Sequence, residues 1–220
     1  MKNNTSEIIG IIVSLSGLTV MAGWILDIGV FKSILPCFVT MKFSTALCFF
    51  LGGIELFYIA RYRKREMDIA GVVIPIASVM IFLMMATLFA STVLGTDTGV
   101  EELFVKESMT AVRSVSPGRP AIPTMLNFII IAIAGNIVML NARSSARVLA
   151  IMGSIVGVVG AVALTGYLLN KPMLTFAFTG ISSAMAMHTA ILFLLWGTGA
   201  IMVGNNSGKQ KEKTCALTPD

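Results

Sequence analysis

Apolar residues occur along this chain in blocks of about twenty, the length an α-helix needs to cross about 30 Å of hydrocarbon. Six blocks are read, at about 8–31, 43–61, 69–94, 123–142, 147–169 and 183–203, with most polar and charged residues between them. The pattern predicts an all-α integral membrane protein of six transmembrane helices. Residues 1–204 form one membrane domain, and 205–220 a short polar cytoplasmic tail expected to be disordered. The spans occupy most of the 220 residues, so no soluble domain of ordinary size fits beside them.

Composition agrees: 56% of residues are hydrophobic and 12% are charged, where soluble proteins carry about 25% charged residues. The net charge of +5 raises the question of nucleic acid. The basic residues flank the spans instead of forming one patch, so nucleic acid is not an expected partner. Topology explains them better. With the N-terminus inside, the inner segments hold ten: Lys2, Arg61, Arg63, Lys64, Arg65, Arg143, Arg147, Lys209, Lys211 and Lys213. The outer segments hold six: Lys32, Lys42, Lys106, Arg113, Arg119 and Lys171. Ten against six places both termini in the cytoplasm of a multi-pass protein of the cell membrane. The first span lacks a small-residue cleavage site and reads as a retained anchor, not a signal peptide. Cys37, Cys48 and Cys215 fall in a loop, a span and the tail, which gives no disulfide framework and no metal spacing.

The even-numbered spans share a pattern. Span two opens Ser44-Thr45-Ala46-Leu47-Cys48-Phe49, span four Pro123-Thr124-Met125-Leu126-Asn127-Phe128, and span six His188-Thr189-Ala190-Ile191-Leu192-Phe193. Four residues past each phenylalanine comes Gly53, Ala132 or Gly197. Threonine, phenylalanine and small residue at i, i+4 and i+8 share one helix face. Such a stripe lets a neighbouring helix approach closely, and packing alone accounts for it. Span one closes Gly23-Trp24-Ile25-Leu26-Asp27 and span five Gly166-Tyr167-Leu168-Leu169-Asn170, while span three ends Leu94-Gly95-Thr96-Asp97 without the aromatic, a degenerate third copy. Three helical-hairpin pseudo-repeats are expected. Each leaves the membrane outside through a loop with proline: Pro36, then Pro117, Pro120 and Pro123, then Pro172. The segment from Thr98 to Val112 of the longest loop could form a short interfacial helix.

The runs Ile34-Leu35-Pro36, Met41-Lys42-Phe43-Ser44-Thr45-Ala46-Leu47-Cys48-Phe49, Ser116-Pro117, Pro123-Thr124-Met125-Leu126-Asn127-Phe128 and Met187-His188-Thr189-Ala190 cover residues about 20 to 200. They resemble the multi-pass N-terminal membrane sensor region of bacterial histidine kinases and diguanylate cyclases. The resemblance implies sensing or membrane anchoring, with a ligand that is generally undefined. After Gly204 sixteen residues remain, too few for an output domain. A signal is therefore expected to pass to a separate membrane or cytoplasmic protein.

A ligand cluster expected at the outer side comprises Trp24, Asp27, Lys42, Thr45, Thr124, Asn127, Tyr167, His188 and Thr189. His188 near the start of span six, Asp27 and Lys42 would meet there, with Trp24 and Tyr167 lining a pocket beneath. The bland readings are an interfacial hydrogen bond for His188, an aromatic belt for Trp24 and Tyr167, and amide glue between helices for Asn127 and Asn136. Glu55 is the deepest acid; snorkelling toward Arg61 or pairing across helices accounts for it, and an ion pathway is the alternative. Met185, Met187 and His188 suit Cu(I) in donor type, although scattered methionine is usually flexible packing.

Ser44 and His188 have no third orienting group, and no phosphate loop, zinc motif or haem-ligand pair accompanies them, so neither catalysis nor a cofactor is expected. The expected role is a membrane-embedded sensing or signalling module acting through a partner. A small transporter or channel, and a structural accessory subunit, are the alternatives. Homo-oligomerisation stays open.

Overall fold

The computed structural model describes residues 4–33, 39–63, 69–96, 98–100, 118–140, 145–177 and 183–216, the last eleven as backbone only. Residues 101–112 of the expected interfacial helix, with Pro36, Cys37 and Pro117, lie outside the described residues. The chain forms α1 (Thr5–Ile25), α2 (Gly29–Lys32), α3 (Phe43–Arg63), α4 (Ala70–Leu94), α5 (Ile122–Met139), α6 (Ser145–Leu168), a 3-10 turn (Pro172–Thr175) and α7 (Met187–Ala216). Six of these helices are long and apolar enough to cross a membrane, the make-up of a multi-pass membrane protein.

The first span is shorter than the block 8–31 implies. Asp27 takes a left-handed backbone (φ 56°), the Ile28 N–H turns back to the Gly23 carbonyl at 2.9 Å, and α2 follows as a separate turn. The same six-residue closure ends α4 and α6. Thr96 N–H bonds Ser91 O at 3.1 Å around Gly95 (φ 65°), and Lys171 N–H bonds Gly166 O at 2.9 Å around Asn170 (φ 51°). Asp and Asn tolerate this conformation better than other residues with a Cβ, which is why they and a glycine occupy it.

Helices adjacent in sequence pack as antiparallel pairs, α1 on α3, α4 on α5 and α6 on α7. Contacts of α3 with α4, α5 with α6 and α1 with α7 join the pairs into a ring. Burial separates two layers: the spanning windows of α3, α5 and α7 are 61%, 50% and 56% buried, those of α1, α4 and α6 33% each. The outer three are apolar on every side, and Leu15, Leu83 and Val158 lie exposed where lipid would meet them.

Glycine sets the spacing of two pairs. A Cβ at Gly10 would lie 2.8 Å from Gly53 O and one at Gly17 2.5 Å from Ala46 O. At Gly153 and Gly160 it would lie 2.9 Å from Gly197 O and 2.6 Å from Ala190 O. Backbones this close gain dispersion contact that larger residues would prevent.

At the end of the bundle where the chain starts, Arg61 pairs with Glu7 at 3.3 Å and Arg63 donates to Ser145 Oγ at 2.6 Å. Glu55 does not reach toward Arg61. Six residues along a helix of 3.6 per turn point to another face, and Glu55 Oε1 accepts a hydrogen bond from Ser78 Oγ of α4 at 3.2 Å. As backbone, α7 continues past the tail boundary at 205 to Ala216. Lys209, Gln210, Lys211, Glu212 and Lys213 are straight-chain residues of favourable helix propensity.

Candidate functional site

Three inner helices begin at the opposite end of the bundle. In α3, α5 and α7 the third residue is a threonine: Thr45, Thr124 and Thr189, each only 2% exposed. One turn further along the same face stand Phe49, Phe128 and Phe193, all fully buried. Their rings meet, with centroids 4.8 Å apart from Phe49 to Phe128, 4.8 Å from Phe49 to Phe193 and 5.0 Å from Phe128 to Phe193. These tilted and edge-on contacts are the favourable ones for aromatic pairs. The three rings close the centre of the bundle below the threonines.

Above them lies a small polar chamber. Its wall takes the same positions from three segments: residues 40–42, 119–121 and 184–186, with Thr45, Thr124 and Thr189 as the inward hydroxyls. Lys42, 5% exposed, and Arg119 bring positive charge, and among the described residues no acid is in the lining. Side chains of the outer layer hold this wall in place. Trp24 Nε1 donates to the Met41 carbonyl at 2.8 Å, and Tyr167 Oη donates to the Met185 carbonyl at 2.7 Å. The middle pair, which has no such aromatic, reverses the direction: Arg119 reaches back to the end of α4 and donates to Ser91 Oγ at 2.9 Å and Thr96 O at 2.6 Å.

The cluster expected from sequence thus comes together in part. Lys42, Thr45, Thr124 and Thr189 line one chamber, Trp24 and Tyr167 brace it, and Asn127 lies buried one turn below Thr124 with its Nδ2 unpartnered among the described residues. Asp27 and His188 go elsewhere. Asp27 is fully exposed and pairs with Lys32, whose hydrogen bond and charge hold the carboxyl below its usual value. Lys32 also stands 4.7 Å over the Trp24 ring. His188 precedes Thr189 by about 100° of helix rotation, so when the threonine faces the centre the imidazole faces α1. There it lines a groove of about 330 Å³ with Ser16, Thr19, Phe31 and Leu192. Met185 lines the chamber while His188 lines the groove, which divides the donors that copper would need.

Glu55 lies apart from both, fully buried, with Oε2 unpartnered among the described residues. Gly135 of α5 makes its place: a Cβ there would collide with Glu55 Oε1 and Ser78 Oγ and come 2.8 Å from Glu55 Cδ. Among the described residues no group of three His, Cys, Asp or Glu side chains gathers as metal ligands would. Arg119 is the chamber residue that no motif announces. Its signal is position, since it precedes Thr124 by five residues as Thr40 precedes Thr45 and Ala184 precedes Thr189. Comparisons with protein-family models, curated proteins and solved structures find no match to this chain.

Proposed function

We propose that this protein is a membrane-embedded sensing module that receives a ligand at the outer end of its bundle and acts through a separate partner protein. The observation that carries the reading is the polar chamber closed from below by Phe49, Phe128 and Phe193. A site with a solid floor suits binding without passage. Three hairpin repeats, with both termini cytoplasmic, complete the arrangement. The matching wall positions and the matching ends of α1, α4 and α6 support the repetition, and the Arg61 to Arg65 cluster supports the orientation.

Transmission follows from α7. Its 30 residues amount to about 45 Å of helix, with Thr189 in the chamber at one end and the basic segment Lys209 to Lys213 at the other. A ligand that binds one arrangement of the three inner helices better than another shifts α7 by that difference in affinity. A photo-crosslinking residue placed at Asn205 in native membranes tests this. Capture of a distinct membrane or cytoplasmic protein is expected, with a yield that changes when Thr45, Thr124 and Thr189 are replaced by valine. Capture that ignores those replacements, or no capture, overturns the reading. A small transporter is the second reading, favoured by the buried and incompletely partnered Glu55.

A further inference from the structure

We propose that the chamber at the heads of α3, α5 and α7 is a binding site for a small monatomic anion of the size of chloride. The inference rests on the reading of the chamber as the ligand site and names its ligand class.

The backbone supplies the first part of the case. Lys42, Ala121 and Ala186 accept the opening helical hydrogen bonds from Ala46 at 3.0 Å, Met125 at 3.1 Å and Ala190 at 3.1 Å. All three helices therefore start at the chamber wall. A helix start carries N–H groups without intrahelical acceptors and about half a positive charge. Three starts facing one small space sum to a field that favours negative charge.

Side chains supply an independent second part. The hydroxyls of Thr45, Thr124 and Thr189 line the space from positions 2% exposed, and none makes a side-chain hydrogen bond among the described residues. A hydroxyl that finds no protein partner on an otherwise buried residue favours an occupant that accepts from it, and all three of these residues line one space. Lys42 and Arg119 add positive charge on two of the three sides. Lys42 has other contacts besides, and Arg119 is oriented by the neutral oxygens of Ser91 and Thr96, so neither cation needs to be free to add to the field.

Size decides which anion. The chamber offers about 10 Å³ to the centre of a water-sized sphere, room for one such body. A halide matches that space more closely than phosphate, sulfate or a carboxylate, each of which has several heavy atoms. Beneath, the phenylalanine floor keeps the ion from moving inward.

The test uses the full chain in lipid nanodiscs, with sodium gluconate exchanged for sodium chloride at constant ionic strength so that screening is unchanged. A saturable rise in the thermal unfolding midpoint is expected with chloride, reproduced by bromide and absent with sulfate. Thr45→Val, Thr124→Val, Thr189→Val and Lys42→Met are each expected to weaken chloride binding about tenfold, the usual scale for one hydrogen bond to a charged group. Thr→Ser at the same positions keeps the hydroxyl and is expected to keep the response, which separates a lost ligand from a lost fold. Equal midpoints in chloride and gluconate, or an equal rise with sulfate, overturn the anion site. A chloride response that fails to alter partner capture keeps the anion site and removes the sensing role. Capture that depends on the threonines without a chloride response does the reverse.

Discussion

Alanine at Gly53 is expected to destabilise the protein by about 2 kcal/mol or more, near the upper range for overpacking a tight interface. The added Cβ would stand 2.6 Å from Gly10 O and against the backbone nitrogen of Ser14. Both belong to the α1 main chain, which cannot turn aside as a flexible side chain can. Gly197 is its counterpart against α6, where a Cβ would lie 2.5 Å from Gly153 O and 2.7 Å from Gly157 N. Gly71→Ala is the control, because nothing lies within 4 Å of its Cβ position. There the helix-forming advantage of alanine, about 0.5–1 kcal/mol, is expected to show alone. Thermal unfolding in nanodiscs reads all three. A Gly53→Ala protein as stable as the Gly71→Ala protein would show that α1 and α3 do not meet along this seam.

Phe49→Ala is expected to cost about 3–5 kcal/mol, the range for deleting a buried aromatic ring. Lipid removes most of the hydrophobic drive between helices, but an unfilled cavity still forfeits the contacts of the neighbouring rings. Phe49 touches both other members of the cluster, so its loss opens the floor under Thr45, Thr124 and Thr189 at once. Phe49→Leu refills much of the volume and is expected to cost far less. Equal stability of the alanine and leucine variants would contradict the packed floor.

Much of this arrangement is legible in the sequence because it is periodic. Twenty-residue apolar blocks give the spans, and the i, i+4, i+8 stripe brings Thr45, Thr124 and Thr189 over Phe49, Phe128 and Phe193. The endings at Asp27 and Asn170 are visible as local motifs with the same turn. Gly10 and Gly17, like Gly153 and Gly160, are seven residues apart, a spacing that keeps small residues on one face. Other features depend on groups that meet across helices and leave no local trace. The seat of Glu55 is built by Ser78 on α4 and Gly135 on α5. Arg119 closes α4 from the following segment, so span three looks degenerate when it is read by itself. The direction of His188 is fixed by Thr189 turning inward, which depends on the register of the bundle. Asp27 has a partner five residues away in Lys32, and this local pair takes it out of the cluster expected with Lys42 and His188.

Solute flux into proteoliposomes carrying the purified protein tests the central proposal, a ligand chamber without a through-path. Ions and small organic solutes would be followed under an imposed gradient and an imposed potential, beside Glu55→Gln protein and protein-free vesicles. Flux no greater than that of protein-free vesicles is the expected result for the wild-type protein. Saturable flux through the wild-type protein, abolished by Glu55→Gln, would contradict it and establish the transporter reading.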